Sequence, residues 1–359
     1  MANPDASLQR TAEEREAMSK KKDRRRRITD AILNNALYIL MAIFIIYTAI
    51  MRPKFLGIGS ITNLISLTAA YLPIALGIGG CIVLTGTDLS GGRCVGLTAA
   101  VSAALLQQSG ITNRILPDAF ANFPILGALL VAIVIGGIIG AVNGFFVAKF
   151  SLHPFIVTLA TQLITYGLIL LFYMTNGNNG MPIASLRSDY SSFITGTLIK
   201  IGTAAIPMYV LYAIILTVLM WFIWNKTTFG KNMFAVGSNP EAARVSGVNV
   251  FLTTTLVHTL AGAMYGVMGF ITAARVGSNT QNLGMNYECD AIAACVIGGV
   301  SFVGGTGKVS GIVLGVFVLQ LIFAALTFLG VDGNMVYIIK GMIILVACSL
   351  DMRKYLAKK

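Results

Sequence analysis

The sequence predicts an all-α, polytopic membrane protein with about ten transmembrane helices, some short or broken, and with both termini in the cytoplasm. Three observations carry this reading. Of the 359 residues, 56% are hydrophobic and only 11% charged, with a mean hydropathy of +0.80, whereas a soluble domain carries about 25% charged residues. The apolar residues gather into runs of membrane-crossing length. Glycine is abundant, at 38 residues, and tryptophan scarce, at two, which suits helices whose backbones approach closely in lipid. The same composition excludes a water-soluble enzyme and a disordered chain.

Residues 1–30 form a charged cytoplasmic tail with nine lysines and arginines and six acids. Arg24, Arg25, Arg26 and Arg27 stand immediately before the first apolar run, where a basic cluster holds the amino terminus inside and can touch anionic lipid. The polar opening argues against a cleavable signal peptide. The membrane domain follows over 31–350, with apolar runs near 31–50, 61–84, 94–108, 124–148, 154–174, 206–225, 251–274, 290–303, 309–329 and 335–350. A crossing needs about 20 apolar residues, so the 94–108 and 290–303 runs are short. Both are rich in small residues and adjoin glycine-rich breaks. Broken backbone at membrane depth is tolerated only where protein or a watery cavity covers it, so these two places are the expected functional interior. Residues 351–359 close the chain as a second basic cytoplasmic tail.

Orientation follows from charge. With the amino terminus inside, the inner segments hold 19 of the 26 basic residues, and the outer ones hold Arg52, Lys54, Arg114, Arg187, Lys200 and Arg275. This obeys the positive-inside rule. Basic residues dispersed between apolar runs, with a cluster in one tail, are not a nucleic-acid-binding patch, and no nucleic acid is expected as a partner. Cys81, Cys94, Cys289, Cys295 and Cys348 form no CxxC pair, and only two histidines are present. No metal site can be written, and the thiols read as small, reduced core residues. The ridge Gly136, Gly140, Gly144 and the pairs Gly262, Gly266 and Gly311, Gly315 predict close helix packing, within one chain or between copies.

The inner loop, 226–250, carries the most informative local signal. Ser238 or Asn239 can cap a helix, Pro240 suits its first position, Glu241 its first turn, and Gly247 its end. Chemically this is a short helix that either joins two spans or docks a soluble partner. Residues 304–309, GGTGKV, superficially suggest a phosphate-binding loop. Phe302 stands where glycine is needed and Val309 where Ser or Thr must hold Mg²⁺, so the motif fails and a tight inner turn is expected.

Glu241-Ala242-Ala243 followed by Gly247 resembles the EAA-x-x-x-G segment of ABC importer permeases. Residues 290–305, DAIAACVIGGVSFVGG, look like the signature of the carbohydrate branch of that superfamily, the ribose, xylose and galactoside importers. Residues 85–92, TGTDLSGG, resemble its first glycine-rich break. That form, with residues 229–250, is most similar to the galactoside members. The similarity runs from about residue 31 to the carboxyl end. It implies the permease subunit of an ATP-driven monosaccharide importer in a bacterial inner membrane. It further implies a homodimer of permease copies, a partner ATPase subunit with two nucleotide-binding domains, and a periplasmic sugar-binding protein. Under this reading the chain has no catalytic residues and binds no cofactor itself, ATP and Mg²⁺ residing on the partner. Asn239, Pro240, Glu241, Ala242, Ala243, Arg244 and Gly247 would form the coupling helix seated in the ATPase. A self-sufficient, ion-coupled carrier is the rival class. It would need charged groups within its spans, and these are few.

Candidates for the sugar route are the polar residues nearest the two breaks and inside the spans: Asp88, Ser90, Asn143, Gln162 and Asp290. Each either faces the route or stabilises the bundle. Asp88, Ser90 and Asp290 can also cap helix starts, and Asn143 and Gln162 can bond between helices. Arg93 is close enough in sequence to pair with Asp88. Lys340, alone in the last run, is expected to snorkel toward an interface. CIVLTGTDLSGG from Cys81 is echoed by CVIGGVSFVGG from Cys295, a hint of duplicated halves.

Overall fold

The computed structural model describes residues 36–111 and 114–356. The tail at 1–30, with Arg24 to Arg27, and the last residues of the carboxyl tail lie outside the described residues. Each apolar run contains a helix. These are α1 (Ala36–Met51), α2 (Ile58–Val83), α3 (Gly91–Leu105), α4 (Ile125–Phe150), α5 (Pro154–Tyr173), α7 (Tyr209–Lys226), α10 (Val250–Val276), α11 (Tyr287–Ile297), α12 (Val309–Phe328) and α13 (Gly333–Leu356). Six of them, α2, α4, α5, α7, α10 and α12, are long and apolar enough to cross a membrane. The two short runs are indeed the short helices α3 and α11.

Two connecting segments depart from the expectation of loops. Residues 188–207 fold into α6 (Ser188–Thr195) and an antiparallel hairpin of β1 (Thr197–Ile201) and β2 (Ala204–Pro207), so the chain is not purely α. The cause is local: TLIKI is apolar and β-branched, and Gly202, at φ 61°, makes the turn before Ala204. Within residues 226–250, α8 (Thr228–Ser238) precedes the expected short helix, α9 (Pro240–Val245). Thr227 starts α8 by accepting a hydrogen bond from the Gly230 amide at 3.2 Å.

Small residues organise the centre. Along α4 the buried positions are Ala128, Ala132, Gly136, Gly140, Asn143 and Gly144, while Leu126, Leu130, Val134 and Ile138 point outward. Large apolar groups thus lie on the exposed side of α4 and small ones inside. This pattern is suited to packing by backbone approach rather than by exclusion of water. The partner of α4 is α10 of the same chain. A Cβ on Gly140 would overlap the His258 carbonyl oxygen, and one on Gly144 would lie 2.6 Å from the Thr255 Cα. Gly311 and Gly315 of α12 meet Gly298 and Ala294 at the end of α11 in the same way. All three glycine ridges are therefore used within the chain.

Candidate functional site

The segment from Asn239 to Val248 is a capped peg. Asn239 Oδ1 accepts from the Glu241 and Ala242 amides, both at 3.0 Å, and Pro240 fills the first helical position. At the other end Gly247 (φ 85°) bonds to Arg244 O and Val248 to Ala243 O, each at 3.0 Å. This is the paired closure that a left-handed glycine permits. Arg244 reaches back to Glu241 at 3.0 Å, with both side chains exposed. Ala243 turns inward, at 4% exposure, and Val245 outward, at 90%. Sequence reasoning passed over Val245, because a lone valine in a polar loop carries no periodic signal.

The peg is mounted on the bundle by backbone. The Gly305 amide donates to the carbonyl of Val83, the last residue of α2, at 2.9 Å. A Cβ on Gly237, near the end of α8, would overlap that same oxygen, and one on Gly305 would overlap Ser238. Gly304 (φ 88°) closes the joint against Gly237 O at 2.5 Å from its would-be Cβ. The 304–308 segment that superficially resembled a phosphate loop is thus a tight turn locking α8 to α2. The two echoing segments meet here as well. Just beyond Val83, the α2 end is closed by Thr85 at φ 64°, a left-handed position held by a β-branched residue rather than glycine.

Asp88, Ser90 and Asn143 come together in one buried network. Asp88 is fully buried. One of its oxygens accepts from the Ser90 amide (2.9 Å) and hydroxyl (2.7 Å), the other from Tyr265 of α10 (3.1 Å). Asn143 of α4 donates to Ser90 Oγ at 2.9 Å and accepts from Thr161 of α5 at 2.6 Å. Thr158 adds a bond to Thr87 O and receives one from the Leu89 amide. Three helices, α4, α5 and α10, are tied to the first break. Arg93 is not the partner of Asp88. Its guanidinium lies 4.1 Å from the centre of the Tyr166 ring and donates to Gln281 O. Helical geometry is the reason: the chain turns into α3 at Gly91, which directs position 93 toward α5. Gln162 is half-buried on α5 and is not part of the network.

Asp290 sits in the first turn of α11, at 4% exposure, and is bonded by Lys340 Nζ of α13 at 2.8 Å. Lys340 therefore does not snorkel. Its ammonium finds an acid, with the Phe323 ring 4.3 Å away, and a paired charge in the bundle is far less costly than a lone one. Among the described residues no cluster of three or more His, Cys, Asp or Glu could hold a metal.

The model of the family described as branched-chain amino acid transport system / permease component matches residues 60–348. The chain is 43% identical over 330 residues to the galactose/methyl galactoside import permease of Haemophilus influenzae, covering 92% of this chain and 97% of that one. It is 43% identical over 323 residues to the protein of the same description from Escherichia coli K12, covering 90% and 95%. It is 33% identical over 317 residues to the ribose import permease of Bacillus subtilis, covering 88% and 92%. No solved structure matches it.

Proposed function

Because the chain belongs to the branched-chain amino acid transport system / permease component family, and so is a multi-pass inner-membrane protein, we propose that it is the membrane-spanning subunit of an ATP-driven importer of galactose and methyl galactosides. The observation that carries the substrate is the difference in identity: 43% to a galactose/methyl galactoside permease against 33% and 30% to ribose and allose permeases of similar coverage. In this reading ten helices cross or enter the membrane and both termini are cytoplasmic. Two copies enclose the route, a periplasmic sugar-binding protein docks outside, and an ATPase subunit with two nucleotide-binding domains docks inside. ATP and Mg²⁺ are held by that partner.

The peg supports the coupling role. Asn239, Pro240 and Gly247 set its shape, and Glu241, Arg244 and Val245 present its outer face. Ala242 keeps the outer face slim enough for a groove, and Ala243 seats the peg inward. The main-chain joint at Val83, Gly237 and Gly305 gives a stiff connection from that face to the first break. The buried network supports a bracing role for Asp88, Ser90 and Asn143 in the wall of the route. Gln162 and Asp290 are retained as residues beside it.

The test is reconstitution. The chain, its ATPase subunit and its binding protein in proteoliposomes are expected to accumulate galactose with ATP. Accumulation by the chain alone, driven by a proton or sodium gradient, would overturn the proposal. Labelling of Arg244→Cys from outside intact cells would overturn the orientation.

A further inference from the structure

Arg275 lies in the last turn of α10, just before Gly277 (φ 73°) ends the helix. A cation is favoured there by the helix carbonyls, which accounts for its charge but not for its hydrogen bonding. Its Nε is buried without a hydrogen-bond partner. Among the described residues no carboxylate pairs with it. That Nε is closed to solvent, so any contact Arg275 makes in the neighbouring cleft is through the rest of its guanidinium.

It lines a cleft of about 480 Å³ between α10, the start of α2, the first residue of α7 and the β1–β2 hairpin. That is within the usual size range of small-molecule sites. The cleft is also lined by Thr62, Asn63 and Ser66 of α2, and by Tyr209 and Thr203. The Thr62 hydroxyl donates to Gly59 O (3.0 Å) and the Ser66 hydroxyl to Thr62 O (2.8 Å), and Ser66 also bonds the Tyr209 side chain, so of the two hydroxyl oxygens that of Thr62 is left as an acceptor. Asn63, which is exposed, offers both a donor and an acceptor. Arg275 supplies donors, and Tyr209 a ring with a polar tip. No acid lines the cleft and Arg275 does, so nothing there neutralises a divalent cation and one charge repels it. A carboxylate would meet one cation but also the acceptor oxygens of Thr62 and Asn63. A neutral ring carrying many hydroxyls can satisfy all of these groups at once.

We propose that this cleft is an outer waiting site for a monosaccharide, occupied at the mouth before the route opens. The proposal rests on the sugar-import reading and on the orientation that puts the hairpin outside.

The test uses Gly59→Cys, at a cleft-lining position where an added Cβ meets nothing within 4 Å, in the complete transporter, in spheroplasts washed free of binding protein and treated with a membrane-impermeant maleimide. Galactose is expected to slow labelling about twofold at a concentration equal to its Kd, and betaine at equal osmolarity to have no effect. Arg275→Gln is expected to remove the protection. Thr62→Val, which keeps the shape and loses the acceptor, is expected to weaken it and serves if Arg275→Gln does not insert. Intact ATP-driven uptake with no protection by sugar would overturn the cleft and leave the import reading standing. Protection without any such uptake would do the reverse. Protection by sugar-free binding protein alone would make this a protein-docking face and overturn the proposal, as would full protection retained in both variants.

Discussion

Gly136 of α4 and Gly262 of α10 occupy each other's carbonyl: a methyl group on either would overlap the main-chain oxygen of the other. The contact is backbone on backbone, so no rotamer change can relieve an added side chain. Gly136→Val and Gly262→Val are each expected to cost about 3 kcal/mol or more. A detergent thermal melt followed by size-exclusion chromatography reads the loss. Gly137→Val is the control, because the nearest atom to its Cβ is Thr259 Cγ2 at 4.0 Å; an equal loss there would disprove the account.

Val245, Glu241 and Gly247 lie on the exposed peg and support little of the bundle. Val245→Asp, Glu241→Lys and Gly247→Asp are expected to lower ATP-driven uptake while leaving insertion unchanged. Each tenfold loss of affinity for the ATPase corresponds to roughly 1.4 kcal/mol of docking free energy. Normal uptake and normal co-purification of the ATPase in all three variants would remove the coupling role.

What the sequence revealed tracks the range of the interaction. The Asn239 cap, Pro240 and Gly247 are set by neighbours within a few residues, so the peg was legible from its letters. The α4 ridge was legible as glycine spacing, but its partner was not. Asp88 and Tyr265 are 177 positions apart, and Asp290 and Lys340 are 50 apart. No local pattern links such pairs, and the nearer candidate, Arg93, pointed the wrong way. The hairpin and α8 were hidden because their short apolar stretches sit in polar, glycine-bearing segments.

The Asp290–Lys340 pair lends itself to a double-substitution cycle. Removing one charge strands the other, so Lys340→Met and Asp290→Leu are each expected to cost about 3–5 kcal/mol. The double variant is expected to recover most of that loss. Additive losses would show that the two side chains act independently.

Asp88→Asn replaces an acceptor-only group by one with donors, against the Ser90 amide and the Tyr265 hydroxyl. Losing charge-assisted bonds costs about 1.5–3 kcal/mol each, so reduced yield of folded protein is expected, with sugar preference unchanged among the molecules that insert. Unchanged yield with altered preference would instead place Asp88 on the route.

Thr85 holds φ 64°, where a side chain costs about 1–2 kcal/mol relative to glycine. Thr85→Gly is expected to raise the melting temperature by a corresponding amount. A fall would mean that its Cγ2, which lies against Gly304, contributes more by packing than the backbone loses by strain.

The joint beneath the peg is made of a carbonyl, an amide and three residues without side chains. A survey that trims side chains to alanine would pass over it in silence, since there is nothing on Gly237, Gly304 or Gly305 to trim and Val83 takes part through its main chain. Only by adding atoms can an experimenter hear from this part of the molecule, and every added methyl lands on the seam between the peg and the first break.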